Sequence, residues 1–357
     1  MSKMKITDLT AHLSLSEIAI KFDSMSNIER EFISRLLRQI NVAVIFDGNA
    51  MITMLNVFQL EQLIANYPAD KTSFREILEH HKIIWSGQNF EFDLTTNPIV
   101  YSIINVTPDS FYDGNPENLA TKNILKRVEN DLENGAKVIE LGGKSSRPGY
   151  SDISPEEEWQ RLAPAIREIK QQFNNVVLAI DTDEPYVQER VLEAGVDIIN
   201  DIDGFDTDEK LKILENYKPA VVAMNNGRAG FDYGDNVFDE LPEFFKAKSD
   251  QLLQIGLTKN QISIDPGVGF FNGDSGIDSL QRVKSTKNID FLGLPIMIAI
   301  SRKSFMGNIF NVEPENRLIS TLLFEQQMIL DGGRILRVHD VKATKTLIDG
   351  IKIYHEH

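Results

Sequence analysis

Cysteine is absent from all 357 residues, which removes disulfides, thiolate nucleophiles and zinc-thiolate sites in one step. Basic charge is scarce too: 37 Lys and Arg stand against 53 Asp and Glu, a formal net charge of -16. So acidic a surface repels phosphate backbones and anionic lipid, making nucleic acid and membrane surfaces poor partners. An anionic substrate would need a local pocket of positive charge. No apolar run approaches the roughly 18 residues of a membrane span. The start of the chain, Met1 to Leu9, lacks the apolar core of a signal peptide. A cytoplasmic protein is the default expectation.

What the chain does have is a repeated event in which an apolar run stops at polar groups. It occurs at Ile104-Asn105-Val106-Thr107-Pro108, Glu140-Leu141-Gly142-Gly143, Ile180-Asp181-Thr182, Ile199-Asn200-Asp201, Met224-Asn225-Asn226, Ile264-Asp265-Pro266-Gly267, Ile300-Ser301-Arg302-Lys303 and Leu336-Arg337-Val338-His339. About eight polar strand ends is the number a (β/α)8 barrel presents on its C-terminal face. The strand candidates are Val100 to Val106, Lys137 to Leu141, Val176 to Ile180, Ile198 to Ile199, Ala220 to Met224, Ile262 to Ile264, Ile296 to Ile300 and Arg334 to Val338. They lie roughly 20 to 40 residues apart, which suits a strand, a helix and a return in each unit. Ser154-Pro155-Glu156-Glu157 predicts a capping box with Pro at the first helical position. A doubly wound open sheet is the alternative, but it favours ligands at one switch point, whereas here nearly every strand end is polar.

A barrel of about 250 residues leaves about 100 over. Residues 1–85 read as a small α/β unit of unknown role, 86–98 as a junction and 99–357 as the barrel. Ile18 to Phe22 reads as a strand, and Ser26-Asn27-Ile28-Glu29 as a capping box opening a helix with Ile28, Phe32, Ile33, Leu36, Leu37 and Ile40 on one face. Val42 to Phe46 and Met51 to Leu55 pair around Asp47-Gly48-Asn49, and Val57 to Ala65 returns as a helix. The His80-His81 pair suggests a metal, but adjacent helical residues diverge, so solvent exposure is the expectation.

Three groups carry chemistry. Asp181, Asn200 and Asp265 each follow an apolar strand and together offer two carboxylates and an amide, a set suited to the edge of a flat heterocycle with several N–H donors. Arg302, Lys303, Arg337 and His339 concentrate positive charge after the last two strands, where barrels commonly hold phosphate. Asn105 to Gly114 and Gly142 to Tyr150, rich in Gly, Pro, Ser and Asp, read as loops able to close over a substrate.

In order, the motifs Asn-Val-Thr-Pro-Asp-Ser-Phe, Gly-Gly-x-Ser-x-Arg-Pro-Gly, Asp-Pro-Gly-x-Gly-Phe, Ser-Arg-Lys-Ser and Arg-Val-His-Asp-Val resemble those of the dihydropteroate synthase family, from about Ile103 to Val341. The resemblance implies a transferase of folate synthesis that joins 6-hydroxymethyl-dihydropterin diphosphate to p-aminobenzoate. It places the pterin on Asp181, Asn200, Asp265 and Lys303. The diphosphate falls to Asn105, Arg337 and His339, with magnesium (Mg2+) bound through Asn105. It assigns p-aminobenzoate to Pro108, Phe111, Asp113, Ser145, Ser146, Arg147, Pro148 and Ser304. Asn105, Arg147, Lys303, Arg337 and His339 form the implied catalytic set. Family members are commonly homodimers and are the target of sulfonamides. Some bacterial members carry a similar amino-terminal extension.

The chain departs from that pattern at four places. Lys144 stands where the family usually has an acid, Glu184 where it has a base, Asn225 where it has a His, and Phe271-Asn272 where it has Gly-Lys. Glu184 and Asn272 lower the basic charge near the mouth, so weaker affinity for the diphosphate is expected, and Phe271 would crowd a loop near the pterin. A pterin-binding homologue with impaired catalysis is therefore the competing reading. A pterin-dependent methyltransferase is a weaker one, since no cobalamin-binding module is recognisable.

Overall fold

A computed structural model describes residues 4–107, 121–144, 153–226, 236–270 and 276–356, and among these the chain forms fourteen strands and twelve α-helices. The amino-terminal unit consists of β1 (Lys5–Asp8), β2 (Ile18–Asp23), α1 (Asn27–Gln39), β3 (Val44–Asp47), β4 (Ala50–Leu55), α2 (Val57–Asn66), α3 (Thr72–His80), β5 (Ile84–Ser86) and β6 (Glu91–Asp93). Four of its strands make an antiparallel sheet in the order β1-β2-β4-β3. Helix α1 opens on the expected capping box: the Ser26 hydroxyl accepts from the Glu29 N–H and Glu29 accepts from the Ser26 N–H at 2.8 Å. Ile33, Leu36, Leu37 and Ile40 are buried, but Ile28 is 82% exposed. Ser26, Asn27 and Ile28 are all exposed, so this first turn projects beyond the sheet and Ile28 does not belong to the core face.

His80 is exposed as expected, but His81 is not. His81 is fully buried. Its Nδ1 accepts the Ser14 N–H at 3.1 Å, so its Nε2 carries the proton that Asp8 Oδ2 receives at 2.9 Å. His80 Nδ1 meets the same oxygen at 2.8 Å. The three side chains cluster closely enough to hold an ion, yet a ring whose Nδ1 lone pair is taken by a backbone N–H has no second lone pair at Nε2. The cluster is a clasp between β1 and the end of α3.

The barrel strands are β7 (Ile99–Asn105), β8 (Ala136–Gly142), β9 (Val177–Asp181), β10 (Ile198–Asp201), β11 (Ala220–Met224), β12 (Ile262–Asp265), β13 (Met297–Ile298) and β14 (Ile335–Val338). All pair in parallel, in the order β12-β11-β10-β9-β8-β7-β14-β13. A bridge from Ile264 to Ile296 closes the ring. The helices α4 (Thr121–Glu133), α5 (Pro155–Gln172), α6 (Pro185–Glu193), α7 (Asp208–Tyr217), α8 (Val237–Gln254), α9 (Ile277–Ile289), α10 (Ser304–Phe310), α11 (Leu318–Leu330) and α12 (Val341–Glu356) alternate with the strands. The architecture is thus a (β/α)8 barrel preceded by a small α/β unit. Strands such as β7 read as near-continuous apolar runs because inner side chains fill the barrel and outer ones meet helices. Strand β13 is shorter than the apolar run Ile296 to Ile300 predicts, since the chain leaves the ladder ahead of a turn at Arg302 with φ 53°. At α5 only half of the capping box forms. Ser154 accepts from the Glu157 N–H, while the Glu157 carboxylate pairs with Arg161 at 2.6 Å instead.

The amino-terminal unit grips residues that precede barrel strands, hence the rim opposite the polar strand ends. Asp290 accepts from the backbone N–H groups of Leu15 and Ser16, each at 2.9 Å, and from both neighbouring serine hydroxyls. Asn89 donates to Asp197 at 2.7 Å and Arg334 to the Thr95 carbonyl at 3.2 Å. The β5-β6 pair seals this floor, with Trp85 fully buried and stacked on Tyr101, ring centroids 6.4 Å apart.

Candidate active site

The barrel strands all run in one direction, so their carboxyl ends open on a common mouth. There Arg337, the third residue of β14, joins β8 and β9. Its Nε donates to Glu140 Oε1 at 2.7 Å and its terminal nitrogen to Asp181 Oδ2 at 2.5 Å. Glu140 Oε2 accepts from the Tyr101 hydroxyl at 2.6 Å and from Asn200 Nδ2 at 2.9 Å. Five strands are thereby tied through two carboxylates and one guanidinium. Burial raises the Asp181 carboxyl to about 7; Arg337 opposes the rise, and Glu140 and Asp183 add to it. Arg337 itself is held above its usual range: burial works against its charge, and Glu140 and Asp181 outweigh that.

Asp265 and Lys303 form the second half. Asp265 ends β12, is 2% exposed and accepts the Gly267 N–H at 2.8 Å. Burial raises its carboxyl, with Lys303 acting against the rise. Lys303 donates to the Val268 carbonyl and lies 4.5 Å from the centre of the Phe270 ring. Burial lowers its ammonium to about 8 against the attraction of Asp265. Gly269 makes this path possible. With φ 88°, any Cβ there would stand 2.8 Å from Lys303 Cδ.

Asn105 ends β7 beside Gly142, where a Cβ would lie 3.4 Å from the Asn105 side-chain oxygen Oδ1. His339 follows β14, with Nδ1 3.1 Å from the Ser301 hydroxyl. Ser304 is the exposed first residue of α10. The structure thus gathers Asp181, Asn200 and Arg337 around Glu140 and brings Asp265 to Lys303. Pro108, Phe111, Asp113, Ser145, Ser146, Arg147, Pro148, Phe271 and Asn272 lie outside the described residues. Arg302 departs from its expected place among the phosphate cations. Its guanidinium is bidentate to Asp340, at 2.7 and 2.9 Å, and also donates to the carbonyls of Pro314 and Glu315. It braces the α10-α11 connection.

The polar residue that the sequence reading passed over is Glu140. The signal was a carboxylate inside the run Val138-Ile139-Glu140-Leu141, because a charge in a two-sided buried strand must be paired. Asn225, where a His is usual, is 1% exposed and gripped by Arg282, which donates to its carbonyl at 2.8 Å and its side-chain oxygen at 3.2 Å.

Known proteins place the barrel in context. The family described as pterin binding enzyme matches residues 101–339. The chain belongs to this class of barrel, and within it to the dihydropteroate synthase family. Dihydropteroate synthase type-3 of Escherichia coli is 36% identical over 261 residues, covering 71% of this chain and 97% of that one. The dihydropteroate synthase of Clostridium beijerinckii is 35% identical over 256 residues, covering 70% and 92%. Among solved structures, Xanthomonas albilineans dihydropteroate synthase with 4-aminobenzoic acid has a TM-score of 0.70 at 29% identity, covering 77% of this chain and 99% of that one. The Yersinia pestis enzyme with a sulfonamide drug complex has a TM-score of 0.69 at 30% identity, covering 76% and 98%.

The two shifted groups set a pH window. A ring edge rich in N–H donors needs Asp181 ionised, above about 7, and an acceptor on the ring needs Lys303 protonated, below about 8. The profile of kcat/KM for the pterin substrate should therefore rise through about 7 and fall through about 8. A flat profile from pH 6 to 9 would show that neither group reads the substrate. Glu140→Gln removes a charge that raises Asp181, so the acid limb should move to lower pH. Stability in urea should drop by about 3 kcal/mol, as expected when a buried ion pair loses one partner.

Proposed function

We propose that this chain condenses 6-hydroxymethyl-7,8-dihydropterin diphosphate with p-aminobenzoate, giving 7,8-dihydropteroate and diphosphate. The observation that carries this reading is the alternation of acids and bases across the mouth, from Glu140 and Asp181 on Arg337 to Asp265 beside Lys303. Asp181, Asn200 and Asp265 match the donors of the pterin edge one for one, and Lys303 supplies a donor to its carbonyl or ring nitrogen. Arg337 and His339 face the diphosphate. In the reaction the bond from the pterin methylene to the diphosphate oxygen breaks, and its electron pair leaves with the diphosphate. The arylamine lone pair then forms the new C–N bond and the amine loses a proton. Arg337 and His339 stabilise the charge gathering on the leaving group. The carboxylates near the ring favour the electron-poor carbon left behind. No covalent intermediate with the protein is required.

Magnesium is the cofactor this reading calls for. Asn105 fits it, being a neutral oxygen donor at a strand end with no side-chain hydrogen bond among the described residues. Such a ligand suits an ion that keeps waters and phosphate oxygens in most of its positions. When bound, it would supply further neutralisation of the diphosphate. The p-aminobenzoate site is assigned to Ser304 and to the loop residues Pro108, Phe111, Asp113, Ser145, Ser146, Arg147 and Pro148. The 4-aminobenzoic acid and sulfonamide complexes of the relatives support that assignment. The cytoplasm is the proposed compartment. No helix among the described residues is long and apolar enough to cross a membrane.

The functional unit is proposed to be a homodimer formed by α10 and α11. Helix α11 buries Thr321, Glu325, Met328 and Ile329 but leaves Ile319 and Leu323 73% and 61% exposed, with Phe310 of α10 at 47%. Large apolar side chains gathered on an exposed face mark a surface that a partner covers. A second copy would cover it with the same apolar surface.

Two measurements test these readings. Purified protein given the pterin diphosphate, magnesium and p-aminobenzoate should release diphosphate in step with dihydropteroate, and Arg337→Ala should abolish release; a null result for the unmodified chain at saturating substrate sinks the assignment. Sedimentation should give a dimer that Ile319→Lys with Leu323→Lys converts to a monomer. A monomeric unmodified chain would remove the dimer.

A further inference from the structure

Lys144 is the last described residue after β8, and it reaches across to the loop that follows β9. Its Nζ lies 3.0 Å from Glu184 Oε1 and 3.5 Å from Asp183 Oδ1. The three side chains are 22%, 29% and 27% exposed, so the contact is shielded well enough to hold its geometry. Gly143 presses the backbone at this point flat onto α5, where a Cβ would lie 2.9 Å from Glu158 Cγ and Leu162 Cγ. Glu158 is fully buried on α5, and the Lys144 charge acts on its carboxyl. Lys144 therefore stands among three acids from two neighbouring barrel units.

We propose that Lys144 is a positioning residue for the arylamine half of the reaction, tying the start of the β8-α5 loop to the β9-α6 loop through Glu184 and Asp183. Two of the departures noted in the sequence, a base at 144 and an acid at 184, are then one reversal of a pair. The charge of the pair is unchanged. The weakened diphosphate affinity expected from Glu184 alone does not follow, because Lys144 sits on its carboxylate. Lys144 directly precedes Ser145 in the sequence, where the proposed p-aminobenzoate contacts begin. Asp181, Asn200 and Asp265 sit on the strands themselves, so the pterin half should be far less sensitive to the tie.

This inference rests on the proposed reaction, and reciprocal charge reversal tests it. Lys144→Glu places a fourth acid in the cluster and should raise KM for p-aminobenzoate about tenfold or more, as like charges in contact do, with the pterin Kd changed by less than about twofold. Glu184→Lys should act in the same sense. The double variant Lys144→Glu with Glu184→Lys restores the pair and should return KM toward the unmodified value, a coupling that independent sites do not show. If either single reversal fails to fold, Lys144→Met and Glu184→Gln replace them, with a smaller loss of the same pattern. KM unchanged in the singles, or a double variant no better than the worse single, overturns the role of Lys144 while leaving the reaction standing. An unmodified chain without turnover overturns both.

Discussion

Arg337 stands between the carboxylates of Glu140 and Asp181, and the other polar groups of the β7 to β10 side take their positions from that contact. A guanidinium inside a closed barrel is costly unless its fork of donors is answered by acceptors in fixed places. Glu140 can answer it because Tyr101 and Asn200 occupy its other oxygen. Loss of Glu140 would leave the Tyr101 hydroxyl and the Asn200 amide without the acceptor that they share. The barrel mouth is thus stiff before any substrate arrives, which is the condition for electrostatic catalysis.

The same contact divides the site between the substrate's two ends. Asp181 is held by Arg337, while burial raises its carboxyl to about 7. In the proposed reaction it would meet the donor-rich ring while Arg337 would meet the departing group. On the other side Lys303 repeats the arrangement at lower strength, since burial erodes its charge against the attraction of Asp265. An acidic protein thereby keeps two cations at the barrel mouth, each beside buried acids.

Much of this was legible in the chain. The stop of each apolar run marks where a barrel strand ends, and Asp181, Asn200, Asp265 and Arg337 stand at those stops because only the last inward positions reach the mouth. What stayed hidden depends on partners far apart in sequence. Glu140 is 197 residues from Arg337, and although its place inside an apolar run says that it must be paired, nothing local names the partner. Arg302 and Lys303 are adjacent and both basic. One turns outward to Asp340 and the other inward along Gly269, a split set by the positive φ of Arg302. His81 reads as exposed by its neighbourhood in sequence, yet Ser14 and Asp8 enclose it. Contacts of this kind belong to the packing of whole elements and leave no periodic trace.

The amino-terminal unit is fastened to the floor of the barrel through Asp290, Arg334 and the seal around Trp85, while substrates enter from the other end. Traffic and attachment consequently run along opposite directions of one axis. A macromolecule that docks on the extension approaches from behind the chemistry and leaves the entrance clear, so this protein can be moored to another without being blocked.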